Sequence, residues 1–184
     1  RMGLGVAVFS FQSPQALEPL VETYKKAIAD PDPISEVVND KFLTIAPLLC
    51  LEDGDRARDW HARRANLTTA HFSVYFDTVP EIAARLADEP RPIPQTRLRE
   101  LIAEAAKDPD LVPPFPATAD DPNALIESGL CVGDPEQVKR AIQNYADVGV
   151  DELGMIPRTS WIEPQEMILE SLEVTGRDVL PSFR

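Results

Sequence analysis

The chain is poor in the residues that mark most functions at a glance. It has two cysteines and two histidines in 184 residues. Cys50 and Cys131 lie far apart, each inside an apolar run, so they make neither a short-spaced metal pair nor a disulfide framework. Buried free thiols in a cytosolic compartment suit them better. His61 falls in a charged stretch, where a surface position is expected. His71 falls among aromatics in AHFSVYF, where partial burial is expected, and two histidines so placed give no metal site. No apolar run approaches the ~20 residues that cross a bilayer. No signal-peptide pattern is visible either, because the first apolar run is short and opens directly after Arg1-Met2. A cytoplasmic location is therefore expected. Positive charge is also scarce: 18 Lys and Arg stand against 31 Asp and Glu, for a formal charge of −13. Such acidity argues against nucleic acid or an anionic membrane as partner. There is no P-loop, no GxGxxG, no GxSxG and no HExxH. Gly3-Leu4-Gly5 precedes its strand instead of following it, so it is no phosphate loop. No nucleophile–base pair stands out, and no catalytic residue is assigned.

What is present is an α/β rhythm. The chain is 43% hydrophobic, enough to fill the core of one sizeable domain over residues 1–184. Leu4–Phe11 is nearly continuous in apolar residues and predicts a parallel strand buried on both faces. Ser13 and Pro14 then open a helix with Leu17, Leu20, Val21, Tyr24 and Ile28 as its stripe, stopped at Asp30-Pro31-Asp32-Pro33. Phe42–Leu51 predicts a second strand. Pro47 inside it reads as a bulge or a weakly paired position, because proline cannot donate to the ladder. A charged helix follows in DRARDWHARRA, with Ala57, Trp60 and Ala65 as its buried residues. Residues 66–128 break the pattern and read as a helical insertion, with short amphipathic helices in TVPEIAARLADEP and PQTRLRELIAEAAKDP and dense prolines between them. Leu98, Leu101, Ile102 and Ala105 share one face of the second. Asp121-Pro122 opens another short helix.

Cys131–Pro157 organises the rest. A short apolar run ends at Gly133, Asp134 caps a helix, Pro135 suits its first turn, and Gln137 completes a capping box. Val138, Ala141, Ile142, Tyr145 and Ala146 form its stripe. Gly149 stops the helix, and Val150–Ile156 predicts a strand ended by Pro157. Glu163 and Pro164 open a terminal helix with Met167, Ile168, Leu172, Val179 and Leu180 apolar. Strands joined by helices in this order are parallel, and ligands of such sheets gather at the carboxyl ends of the strands. Phe9–Gln12 there suits a planar ligand or ordinary core and cap roles. Glu52-Asp53 suits a ligand crevice or a helix cap. Arg158 can meet a phosphate or carboxylate or sit on the surface, and Trp161 can close a pocket wall or simply pack.

Four stretches together resemble the bacterial luciferase-like family of flavin- or deazaflavin-dependent oxidoreductases. GLGVAVFSF with SPQALEPLVETYKKA resembles that family's sixth strand and helix. FLTIAPLLCLEDGDRARDWHARRA resembles its seventh. CVGDPEQVKRAIQNYADVGVDELGMIP resembles the stretch before and through its eighth strand, and LESLEVTGRDVLPSFR resembles its terminal helix. The chain departs from the family in Asp134, where threonine or serine is usual, in Pro47, and in lacking the first five βα units. The resemblance implies the carboxyl-terminal part of a (β/α)8 TIM barrel, cut from something longer. It implies a cofactor, FMN or the deazaflavin coenzyme F420, and hydride transfer or oxygen insertion on a small organic substrate. A flavin reductase or other source of reduced cofactor, and a homodimer of the complete protein, are its implied partners. Phe9, Ser10, Phe11, Pro157 and Arg158 are the expected cofactor contacts. Leu51, Glu52, His71 and Met155 are the expected substrate contacts, with Phe72, Tyr75 and Phe76 beside His71 in a lid. The competing expectations are a non-catalytic module on the same scaffold, and a barrel enzyme holding a phosphorylated substrate after Ile156.

Overall fold

Phe42–Cys50 (β2) alternates strictly along its first seven residues, with Phe42, Thr44, Ala46 and Leu48 buried and Leu43, Ile45 and Pro47 half-buried. That period of two gives the strand one face for a helical layer and one for a second set of contacts. The computed structural model describes residues 2–9, 13–62, 94–105, 121–157 and 164–183. Within them the elements are β1 (Val6–Val8), α1 (Pro14–Ile28), β2, a helix α2 over 54–62, α3 (Gln95–Ala105), α4 (Pro122–Glu127), β3 (Cys131–Gly133), α5 (Pro135–Asp147), β4 (Glu152–Ile156) and α6 (Gln165–Val174). The last helix continues through a π-turn (Thr175–Val179) into a 3-10 turn (Leu180–Phe183).

Every strand pairing is parallel. β2 pairs with β1 over Phe42–Thr44, with β4 over Leu43–Pro47 and with β3 over Leu48–Cys50. Leu43 and Thr44 pair with both β1 and β4, so those two strands lie on opposite edges of β2. Among the described residues the sheet is open.

Among the described residues, two clusters make the core. One covers the face of β2 that carries Phe42, Ala46, Leu48 and Cys50; Leu17 and Val21 of α1 and Val138, Ala141 and Tyr145 of α5 pack there. The other gathers Leu49, Leu51, Ala57, Leu125, Leu130, Val132 and Met167. The caps form as their sequences dictate. Ser13 Oγ accepts from the Ala16 N–H at 3.3 Å. Asp134 Oδ1 accepts from the Gln137 N–H at 2.9 Å while Gln137 Oε1 accepts from the Asp134 N–H at 3.0 Å, a complete capping box. Gly149, at φ +87°, ends α5 in the left-handed region.

The structure corrects several expectations. The first strand is shorter than Leu4–Phe11, because the backbone before Val6 is used elsewhere: Met2 O accepts from the Ile34 N–H at 3.2 Å and Gly3 O from the Asn39 N–H at 2.8 Å. The last strand begins at Glu152, since the Val150 N–H closes the end of α5 on Tyr145 O at 3.1 Å. Pro47 is neither a bulge nor loosely placed. It pairs in register with Ile156 at the last rung of β4, and the next residue, Leu48, begins the pairing with β3. The missing donor falls where β2 changes partner. Leu20 is exposed on α1 and Ala146 on α5, and His61 is half-buried rather than on the surface. The helix expected from Thr78, and the positions of Ala65 and Trp161, lie outside the described residues. No helix among the described residues is long and apolar enough to cross a membrane.

Candidate functional site

Because all four strands are parallel, their carboxyl ends share one end of the sheet. Register fixes the levels there. β1 ends at Val8 beside Thr44, β4 at Ile156 beside Pro47, and β3 at Gly133 beside Cys50. Neighbours in register share a face, so the helix-covered side carries Val6, Val8, Leu153 and Met155, all packed against the larger core cluster. The other side carries Ala7, Leu43, Ile45, Pro47, Gly154 and Ile156. It is apolar and only partly covered along β2 and β4. Phe9 follows Val8 at the rim of this side and is 56% exposed; Pro157 follows Ile156 and is half-buried. The residues of this side form an apolar face of the sheet that reaches the strand ends at Pro47 and Ile156, the side on which a ligand crevice of a parallel sheet would lie.

The expected site residues separate on this geometry. Phe9 stands at the open face, whereas Pro157, one residue past the end of β4, has the parity of Met155 and is half-buried. Met155 is not at the open face, because its parity along β4 turns it to the core beside Ala46. Leu51 is fully buried in the second core cluster, where Val132 and Met167 leave it no open surface. Glu52 is exposed, but its Oε1 accepts from Arg177 Nη2 at 2.7 Å. Asp53 takes the capping role: its Oδ1 accepts from the Arg56 N–H at 3.0 Å at the start of α2. Ser10, Phe11, His71, Phe72, Tyr75, Phe76 and Arg158 lie outside the described residues.

Polar groups gather behind this face. Cys50, at the end of β2, donates its N–H to Ser171 Oγ of α6 at 2.9 Å, and Thr175 Oγ1 donates to Ser171 O at 2.6 Å. Ser171 and Thr175 are buried although both are polar. The sequence signal for them is position: Met167, Ser171 and Val174 follow the helical spacing of an inward stripe. Arg58 of α2 is buried, donates to Gln137 Oε1 at 2.7 Å and pairs with Asp55, so it ties α2 to the cap of α5. Arg177 also chelates Asp178, with Nε at 3.0 Å and Nη2 at 2.7 Å, which holds the Asp178 carboxyl below its usual range. The local partners Asp55 and Asp178 can be read from the sequence, but the contacts of Arg58 with Gln137 and of Arg177 with Glu52 cannot, because those partners are distant in the chain.

The thiols are unsuited to chemistry at neutral pH. Burial pushes Cys50 up to about 11 and Cys131 up to about 12. A thiol held that high is neither a nucleophile nor a ready metal ligand. Among the described residues no group of His, Cys, Asp and Glu is arranged to hold a metal ion.

Fold and site together define a parallel α/β protein with an apolar sheet face that reaches its strand ends. No family model matches the chain, and no curated protein matches it. Among solved structures it is similar to the monooxygenase RslO1 from Streptomyces bottropensis, at 14% identity and a TM-score of 0.59, over 99% of this chain and 43% of that one. It is also similar to apo-MsnO8, at 21% identity and a TM-score of 0.46, over 95% of this chain and 44% of that one. The chain thus spans less than half the length of either protein. At such identity the likeness to RslO1 establishes a shared α/β fold.

Proposed function

We propose that this chain is the carboxyl-terminal part of a (β/α)8 barrel of the luciferase-like class, acting in a flavin- or deazaflavin-dependent oxidoreductase or monooxygenase on a small organic substrate. The observation that carries the reading is the fold itself. Almost the whole chain superimposes on part of a monooxygenase with a TM-score of 0.59, and the four stretches that resemble the luciferase-like family fall on β1–α1, β2–α2, β3–α5–β4 and α6 in the family's order.

The open face suits the ring of such a cofactor. Ala7, Leu43, Ile45, Pro47 and Ile156 form an apolar floor, Phe9 stands at its rim, and Gly154 keeps the floor flat. When bound, the cofactor supplies the redox chemistry. The chain's own residues hold the ring against an apolar surface and keep water from it. Arg56, Arg58 and Arg177 each pair with a carboxylate, and Arg158 is the candidate for an anionic end of the cofactor. The test is titration of the full protein with FMN and with the deazaflavin, with and without reductant, followed by absorbance. A saturable spectral shift with either supports the proposal, and no shift with both ends it.

A second reading is a non-catalytic module on the same scaffold. It is favoured by Leu51 and Met155, which the structure commits to the core, and by Glu52, committed to Arg177. Stable association without redox-cofactor binding would select it.

A further inference from the structure

We propose that the π-turn at Thr175–Val179 is a positioning device that sets Arg177 on Glu52 and so holds the loop after β2, residues 51–53, at the ligand end of the sheet.

Met167, Ser171, Val174 and Thr175 form the buried stripe of the terminal helix. Carried on at α-helical spacing, that stripe would turn Asp178 inward, four residues after Val174. The structure buries Val179 instead. The π-turn takes up the extra residue: within it the Leu180 N–H donates to Thr175 O, five residues back. At its entrance Thr175 Oγ1 donates to Ser171 O at 2.6 Å, a side chain set into the helical ladder. The turn fills no gap in the packing, because nothing lies within 4 Å of the place a Cβ on Gly176 would take. Single π-turns inside α-helices gather at functional sites.

What the turn changes is the place of Arg177. Its Nη2 donates to Glu52 Oε1 at 2.7 Å, while Asp178 holds the same guanidinium through Nε at 3.0 Å. The chain on either side of Glu52 is tied to the same helix. Before it, the Cys50 N–H donates to Ser171 Oγ at 2.9 Å; after it, Arg56 Nη1 donates to Glu170 Oε1 at 2.9 Å. On the α5 side the fit is close, since a Cβ on Gly54 would lie 2.8 Å from Asp134 N. Arg177 closes the stretch between these ties. The pair is exposed, Arg177 at 52% and Glu52 at 71%, so it adds little to global stability and acts on local opening of the loop. Ligands of parallel sheets gather at the carboxyl ends of their strands, where this loop lies; that it serves a ligand rests on the proposed function. A loop fixed before the ligand arrives avoids the loss of ordering it on binding.

The experiment is amide hydrogen exchange on the full protein. It compares the wild type with deletion of Gly176, Gly176→Ala, Arg177→Ala, and the deletion combined with Arg177→Ala. The deletion restores α-helical spacing with Val179 still inward and turns Arg177 away from Glu52. Deletion and Arg177→Ala should each speed exchange at residues 52–54 about threefold, with melting temperatures close to the wild type. Gly176→Ala keeps the length and should leave exchange unchanged. The combined variant should match Arg177→Ala alone, because the turn acts through that side chain. Should the deletion fail to fold, Arg177→Ala and Glu52→Gln carry the same test. In the flavin titration, Arg177→Ala should weaken the saturable shift by a similar factor. A wild type without a shift would end the flavin reading, and the exchange result would still decide this one. Unchanged exchange in Arg177→Ala, an alanine at 176 that acts like the deletion, or a deletion that still acts without Arg177 would each overturn the proposal.

Discussion

Ser171 Oγ, on the terminal helix, accepts the backbone N–H of Cys50 at 2.9 Å inside the core. The donor belongs to the last residue of β2, at the point where the ladder ends. A buried N–H without an acceptor is costly, and here a helix from the far end of the chain supplies one. Ser171→Ala removes the acceptor and leaves the donor buried. Chemical denaturation should show a loss of about 1–3 kcal/mol. A loss below about 0.5 kcal/mol would mean that another group takes over the bond.

At the opposite end of the sheet, Asp151 accepts from Lys25 Nζ at 2.5 Å and from the Phe42 N–H at 2.7 Å. Burial alone would raise its pKa, but Lys25 and the Phe42 amide outweigh it and hold the carboxyl below its usual range. A carboxylate lowered in the folded state stabilises at pH above its unfolded value near ~3.9, and that contribution is lost as pH falls through the folded value. The stability gap between wild type and Asp151→Asn should be largest at neutral pH and close on acidification below about pH 4. Lys25 is about a third exposed, so added salt should narrow the gap. A gap that is flat with pH would place the effect in packing.

Cys50 and Cys131 titrate in the other direction. Burial raises Cys50 from 9.0 to about 11 and Cys131 from 9.0 to about 12. The folded state therefore keeps protons that the unfolded chain releases, and stability falls as pH rises from about 9 through those values. Thiol reagents should leave both residues unmodified in the native protein at pH 7.5 and label both in denaturant. Prompt native labelling of either would show that its strand end opens.

Asp134 replaces the threonine or serine usual in the sequences this stretch resembles, yet it makes the complete cap. Asp134→Thr should change stability by less than about 0.5 kcal/mol, whereas Asp134→Ala should cost about 1 kcal/mol. Gly133→Ala should cost more than either. Its backbone sits at φ +142°, and an added Cβ would lie 2.0 Å from Gln137 Oε1. Thermal melts of the three variants rank them, and a costly Asp134→Thr would mean that the carboxylate does more than cap.

Phe9 separates site from scaffold. It is 56% exposed at the rim of the open face. Under the flavin proposal Phe9→Ala should weaken cofactor binding by about tenfold, about 1.4 kcal/mol, with little change in melting temperature. Unchanged affinity beside a measurable shift for the wild type would remove Phe9 from the site.

Much of this fold is legible because its signals are local. The cap at Asp134, the helix stop at Gly149 and the α/β alternation each depend on residues within a few positions of one another. What the sequence conceals is set at long range. The strand residues Leu153, Met155 and Ile156 are all apolar, so the order of residues does not say which parity faces the helices, and Met155 reads as easily onto the open face as into the core. Leu51 has the same ambiguity at the end of a strand that is apolar on both faces. Pro47 looks like a defect until the register shows that β2 changes partner beside it. Arg58 meets Gln137, Ser171 meets Cys50 and Arg177 meets Glu52 only after the chain has folded, and no spacing rule reaches that far.

β2 also sets the order in which the protein can assemble. Its first rungs join residues 36 positions apart, whereas the Phe42 amide waits for Asp151, 109 positions away. Once residue 100 has been made, β2 has β1 available for one edge, while β4 for the other is still to come. Contacts at such separation form slowly, and an uncapped apolar strand is prone to join the wrong neighbour while it waits. A chain halted before Glu152 should therefore stay bound by chaperones, and adding β4 should release it.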